Sequence, residues 1–185
     1  MSLGTTLATL GRQSLTEPRP AAANLMALGL PVQAIWLGFF LINILGILVA
    51  SFLPGSDGGQ PILSAIFATA LAFGSVVVVL KVGQALGGHG TFADVLLLTT
   101  FLSALVLAGQ IVQLVLALVF PPLAVVFGFA VILMAVWINI NFIAAVHGFS
   151  SLMRAFGVLV LSSFVLAMIA FFVLAATGNL PEPPQ

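Results

Sequence analysis

The sequence predicts an all-α polytopic membrane protein that crosses the bilayer five times, and three observations carry the prediction. Of its 185 residues, 62% are hydrophobic and 4% are charged. A soluble domain carries about 25% charged residues, so this chain lacks the polar groups to cover a water-facing surface. Its apolar side chains must face lipid, because a water-facing shell of this kind would aggregate. Next, five stretches reach the roughly 20 apolar residues that a helix needs to cross the hydrocarbon core. Finally, every charged residue falls outside those stretches or at their rims.

The first span is read over residues 32–53, ended by the turn cluster Pro54, Gly55, Ser56, Asp57, Gly58 and Gly59. The second covers 62–82, with Pro61 in its first turn, where a missing N–H costs nothing. The third covers 92–120 and starts with Thr91 and Asp94, a hydroxyl-x-x-acid capping pattern. It exceeds what the core demands, so it tilts or protrudes. Pro121 and Pro122 then reverse the chain, and the fourth span covers 123–146. The fifth covers 152–176, after a turn in which Ser150 is placed to cap it. This divides the chain into an N-terminal segment (1–30), a five-helix membrane domain (31–177) and a Pro-rich tail (178–185).

Charge placement predicts orientation. With five spans, the N-terminus and the 2–3 and 4–5 connections share one side, and Arg12, Arg19, Lys81 and Arg154 all lie there. The opposite side carries Asp57 and Glu182 and no Lys or Arg. The positive-inside rule puts the N-terminus in the cytoplasm and the C-terminus outside. Within the N-terminal segment, Leu3, Leu7 and Leu10 recur at helical spacing beside Arg12, and residues 21–30 are again helix-compatible. One or two short helices at the cytoplasmic interface are expected, a mobile leader being the alternative. No apolar core precedes a cleavage site, so no secretory signal is read.

Composition excludes several kinds of chemistry. The chain has no cysteine, hence no disulfide, thiolate metal site or Cys nucleophile. A net charge of zero leaves no basic stripe for nucleic acid. No nucleophile elbow, paired carboxylates or phosphate loop is present. No cofactor, metal or catalytic residue is therefore predicted. His89, His147 and Asp94 fall near one another at the cytoplasmic face, but a metal site normally shows three or four ligands at recognisable spacing.

No ionisable side chain sits mid-span, which speaks against a proton-coupled pump. The neutral polar residues within spans are Asn43, Gln110, Gln113, Asn139 and Asn141. They are read as interhelical hydrogen-bonding residues, each worth about 0.6 kcal/mol, or otherwise as the lining of a polar cavity. The distinctive surfaces are the two cytoplasmic connections. The first holds Lys81, Gly83, Gly87, Gly88, His89, Gly90 and Asp94, with Gly83 and Gly87 at the spacing that permits close helix approach. The second holds His147, Gly148 and Arg154. Arg154 falls in the first turn of a helix, where a cation opposes the dipole, so a partner such as Asp94, Glu17 or a lipid phosphate is expected.

Taken in order, the stretch from Leu86 to Leu98 (LGGHGTFADVLLL) and Trp137 followed by His147-Gly-Phe-Ser and Arg154-Ala155 resemble the bacterial branch of the YIP1 family. The resemblance covers roughly residues 32–176. It implies a five-helix membrane domain with a cytoplasmic N-terminus, in a bacterial cytoplasmic membrane. Eukaryotic members bind Rab GTPases through longer N-terminal regions. The short segment here lacks such a region, so that function is not carried over.

These readings predict a non-enzymatic protein acting by association with another integral membrane protein or complex, or with the lipid bilayer, as an accessory subunit, scaffold or membrane-organising factor. Lys81, Gly87, Gly88, His89, Asp94, His147 and Arg154 form its contact surface, and self-association is left open. The alternatives are a small solute transporter or channel lined by the neutral polar residues and, more remotely, an intramembrane enzyme using His89 or His147. Single cysteines at Ser56 and Gly90 are expected to label from opposite sides of the membrane; labelling from the same side would sink the five-span topology.

Overall fold

The computed structural model describes residues 3–52 and 61–176. The described residues form seven α-helices: α1 (Leu3–Thr16), α2 (Pro18–Ala27), α3 (Val32–Ala50), α4 (Pro61–Ala85), α5 (Phe92–Val119), α6 (Pro121–His147) and α7 (Leu152–Ala176). Five of them, α3 to α7, are long and apolar enough to cross a membrane.

The spans fall where hydropathy places them, and the differences lie at the ends. α3 stops at Ala50, and the turn cluster from Pro54 to Gly59 lies outside the described residues. α4 continues past residue 82 to Ala85, because its stop signal is Gly87 further on. Pro121 and Pro122 form the first turn of α6, and Phe120 alone joins α5 to α6. The physical reason is that the first turn of a helix has no use for the N–H that proline lacks, while proline's φ is preset for helix. Placing both prolines inside the helix shortens the reversal to one residue.

The five long helices close into a ring in the order α3, α5, α6, α7, α4. α5 packs most extensively on α6 and α3, and α7 packs on α4 and α6. The outward surfaces are apolar: Leu118 is 82% exposed and Leu133 is 71% exposed. Exposed side chains of this kind are stable against lipid and unstable against water.

Burial concentrates at the end of the bundle that carries the α4–α5 and α6–α7 turns and Arg19, Lys81 and Arg154, here called the charged end. In α5 the buried run is Val95 to Leu98; in α6 it includes Ile138, Asn141 to Ala144 and His147. α1 and α2 supply the cover. Glu17 separates them, Pro18 starts α2, and the two pack against each other. Ala21, Ala22 and Leu25 of α2 are fully buried, and α2 seats chiefly on α6. Leu10 of α1 joins the same core, together with Phe39, Leu96, Ile138 and Phe142.

Burying a Leu and then truncating it typically costs about 2–5 kcal/mol. Leu25→Ala is therefore expected to lower the thermal stability of the detergent-purified protein and to open residues 3–27 to protease. Unchanged melting together with unchanged proteolysis would show that α2 is not docked on the bundle.

Candidate functional site

The two turns at the charged end are built the same way. α4 ends with Gly87 in the left-handed region (φ 87). The Gly88 N–H donates to the Gly83 carbonyl at 2.8 Å and the Gly87 N–H to the Gln84 carbonyl at 3.0 Å. α6 ends with Gly148 (φ 69); there the Phe149 N–H donates to the Ala144 carbonyl at 2.9 Å and the Gly148 N–H to the Ala145 carbonyl at 3.3 Å. Both are Schellman caps, which pair helix-end carbonyls that otherwise lack a donor. The helices that follow are capped by hydroxyls. Asp94 N–H donates to Thr91 Oγ1 at 3.2 Å, while the Thr91 hydroxyl donates to Asp94 Oδ2 at 2.6 Å. At α7 the cap is Ser151, which accepts from the Met153 N–H at 3.2 Å, rather than Ser150. Ser151 directly precedes the first helical residue, the position from which a side chain reaches the second helical N–H.

His147 joins the two turns. Its side chain is 1% exposed and lies in a cage of three glycines. A Cβ on Gly88 would lie 2.6 Å from His147 Cβ and Nδ1, one on Gly90 would lie 3.0 Å from Nδ1, and one on Gly83 would overlap the ring. The ring stacks on Phe149 at 5.5 Å and 24°. The His147 carbonyl accepts from the His89 N–H at 3.2 Å, a direct backbone bond between the turns. From the N-terminal side, the Arg19 guanidinium of α2 donates to the Phe149 carbonyl. Neither ring nitrogen of His147 has a hydrogen-bond partner among the described residues; the Val79 carbonyl faces the ring outside hydrogen-bond geometry.

The side chains of His89, His147 and Asp94 do not converge. His89 is exposed, His147 is buried, and Asp94 is engaged with Thr91. Gly83 and Gly87 have separate jobs: Gly83 clears the His147 ring, and Gly87 supplies the left-handed cap. Lys81 and Arg154 are exposed, and Gly90 is buried, so a labelling cysteine reads the surface better at His89 than at Gly90. The Arg19 contact has no local signal in the sequence, because its acceptor is a backbone carbonyl 130 residues away.

The neutral polar residues fall in separate places. Asn43 Nδ2 donates to the Phe39 carbonyl at 2.8 Å and Asn141 Nδ2 to the Trp137 carbonyl at 2.9 Å, each within its own helix. Gln113 of α5 fills the notch at Gly128 of α6, where a Cβ would overlap its amide. Gln110 and Asn43 line a groove of 360 Å³ between α3 and α5. Asn139 lines a cavity of 180 Å³ between α4, α5, α6 and α7, together with Ser75, Thr99, Ser103, Ser162 and Ser163. The Ser162 hydroxyl there is buried with no hydrogen-bond partner among the described residues.

A ring of five apolar helices, capped at one end by a helical hairpin, defines a multi-pass membrane protein. The chain belongs to the Yip1 family: the Yip1 domain model matches residues 12–175, from within α1 to the end of α7. The match thus includes α2 and both turns. No curated protein and no solved structure matches the chain.

The cage predicts a specific energetic coupling. Overpacking typically costs about 1–3 kcal/mol, so Gly83→Ala and Gly88→Ala are each expected to lower the melting temperature. His147→Ala combined with Gly83→Ala should be more stable than the sum of the single changes, since the clash is gone. Strictly additive effects in that double-mutant cycle would refute the cage.

Proposed function

We propose that this protein acts by association, without catalysis, and that its charged end is a cytoplasmic docking surface for another integral membrane protein. The observation that supports this most is the His147 junction. It holds the α4–α5 and α6–α7 turns in one arrangement, so the exposed Lys81, His89 and Arg154 project from a preorganised platform. A surface ordered before binding loses less entropy when a partner arrives. Asp94 is half-buried and engaged with Thr91, so the two turns expose the cations Lys81 and Arg154, with Glu17 the exposed acid at the start of α2. The favoured partner surface is therefore acidic. Gathering Arg12, Arg19, Lys81 and Arg154 at one end supports a cytoplasmic location for it. The family resemblance supports a bacterial cytoplasmic membrane and a role as accessory subunit, scaffold or membrane-organising factor.

A second reading has its own observation. The 180 Å³ cavity carries hydroxyl and amide groups but no charge, and lies between four spanning helices. Its lining runs from Val79, Val95 and Val146 beside the turns to Ser75 and Ser162, each about 15 Å along its helix from the charged end at 1.5 Å per residue. Such a cavity suits a small neutral solute. Gln110 and Gln113 do not line it, so the informative substitution for flux is at Asn139.

The test is gentle extraction of the tagged protein and identification of what stays bound. A stoichiometric membrane partner is expected, with Lys81→Gln/Arg154→Gln reducing its recovery about tenfold while melting is unchanged. Recovery of the protein alone or only with itself would overturn the docking reading. For the second reading, stopped-flow swelling of liposomes in glycerol should show flux that Asn139→Leu removes; flux equal to protein-free liposomes would eliminate it.

A further inference from the structure

A groove of 780 Å³ runs along the outside of the bundle between α1, α5 and α6, away from both the platform and the polar cavity. α1 presents two sides. Leu10 and Ser14 are buried against the bundle, whereas Leu7, Gly11 and Leu15 recur every fourth residue along the groove, with Arg12 beside them. Small residues line it on both sides, Ala108 and Gly109 of α5 and Ala130 and Ala135 of α6, and Val131 of α6 packs at Gly109. Among the described residues Arg12 is the one charged side chain in the lining, it is exposed, and no carboxylate lines the groove with it.

Position and size select the occupant. α1 lies where the covered part of the bundle gives way to exposed apolar surface. Along α5, Val95 is 2% exposed and Val112 is 47%; along α6, Ile138 is 1% exposed and Met134 is 40%. An arginine at that boundary can lay its stem on apolar atoms and hold its guanidinium at the headgroup level. The groove follows α5 from Phe101 to Val112, about 16 Å of helix. That is about half of the roughly 30 Å hydrocarbon core, the depth of one leaflet rather than of a spanning helix. A lone cation beside an otherwise apolar lining of that length matches the anionic headgroup and acyl chain of one lipid.

We propose that this groove is a binding site for an anionic glycerophospholipid, with an acyl chain between α5 and α6 and the phosphate held by Arg12. A planar guanidinium donating two parallel N–H bonds suits a phosphate. The site is independent of the docking surface at the turns, and either assignment stands without the other.

The experiment is native mass spectrometry of the full-length protein purified in detergent, titrated with phosphatidylglycerol or with phosphatidylcholine of the same acyl chains. The expected result is preferential retention of phosphatidylglycerol. Arg12→Gln should reduce that retention about fivefold, the size expected of one cation at an anionic membrane surface, and reduce phosphatidylcholine less, because its choline offsets the phosphate charge. Ala108→Phe, at an exposed groove position, should reduce retention of both lipids by blocking the chain. Arg154→Gln, outside the groove, should change neither and keeps this outcome distinct from loss of the docking surface. Equal retention of the two lipids by the unaltered protein, or no effect of Arg12→Gln on a protein of unchanged melting temperature, would overturn the proposal.

Discussion

A backbone N–H or C=O left unpaired in hydrocarbon costs several kcal/mol, and the rest of this structure follows from that cost. Within a span the α-helix satisfies every group, so sequence choice there is free to be apolar. The difficulty moves to the helix ends, where each helix leaves several donors or acceptors without an intrahelical partner. This chain meets it three ways: prolines where no N–H is needed (α2, α6), left-handed glycines that return carbonyl bonds (α4, α6) and hydroxyl caps (α5, α7).

The same constraint explains why the charged end is the ordered one. Its turns are where backbone groups need partners, and those partners come from several elements: His89 bonds to His147, Gln84 to Gly90, and Arg19 of α2 to Phe149. A buried His ring surrounded by glycines is a close-packed joint between two caps, and interiors of that density do not deform gradually. Motion of one turn is thereby tied to the other. This coupling, more than any single charge, is what makes the end a defined surface.

Much was legible in advance. Hydropathy and the placement of eight charged residues located all five spans, because a helix that must cross about 30 Å of hydrocarbon needs a long uninterrupted apolar run. The Thr91 and Asp94 cap was readable because its partners are three residues apart. Less legible were the helix ends at Ala50, Ala85 and Pro121, where capping shifts a boundary without changing hydropathy. The polar residues were recognised as a set and separated by the fold. Asn139 faces a cavity, whereas Asn141, two residues on, is turned to its own backbone. The glycines were recognised as a turn, but their common neighbour was not, because His147 is more than fifty residues away.

By itself, then, the sequence determined a five-span helical membrane protein with its cations gathered at one end. Those properties depend on local composition and period, and no distant contact can change them. The tertiary structure decided that α1 and α2 dock onto the bundle, that Gly83, Gly88 and Gly90 enclose His147, and that α1, α5 and α6 leave an apolar groove beside Arg12. Each depends on which helices become neighbours, and apolar faces of nearly uniform hydrophobicity do not encode that choice. Steric fit between small and large side chains does, and it exists only once the helices have met.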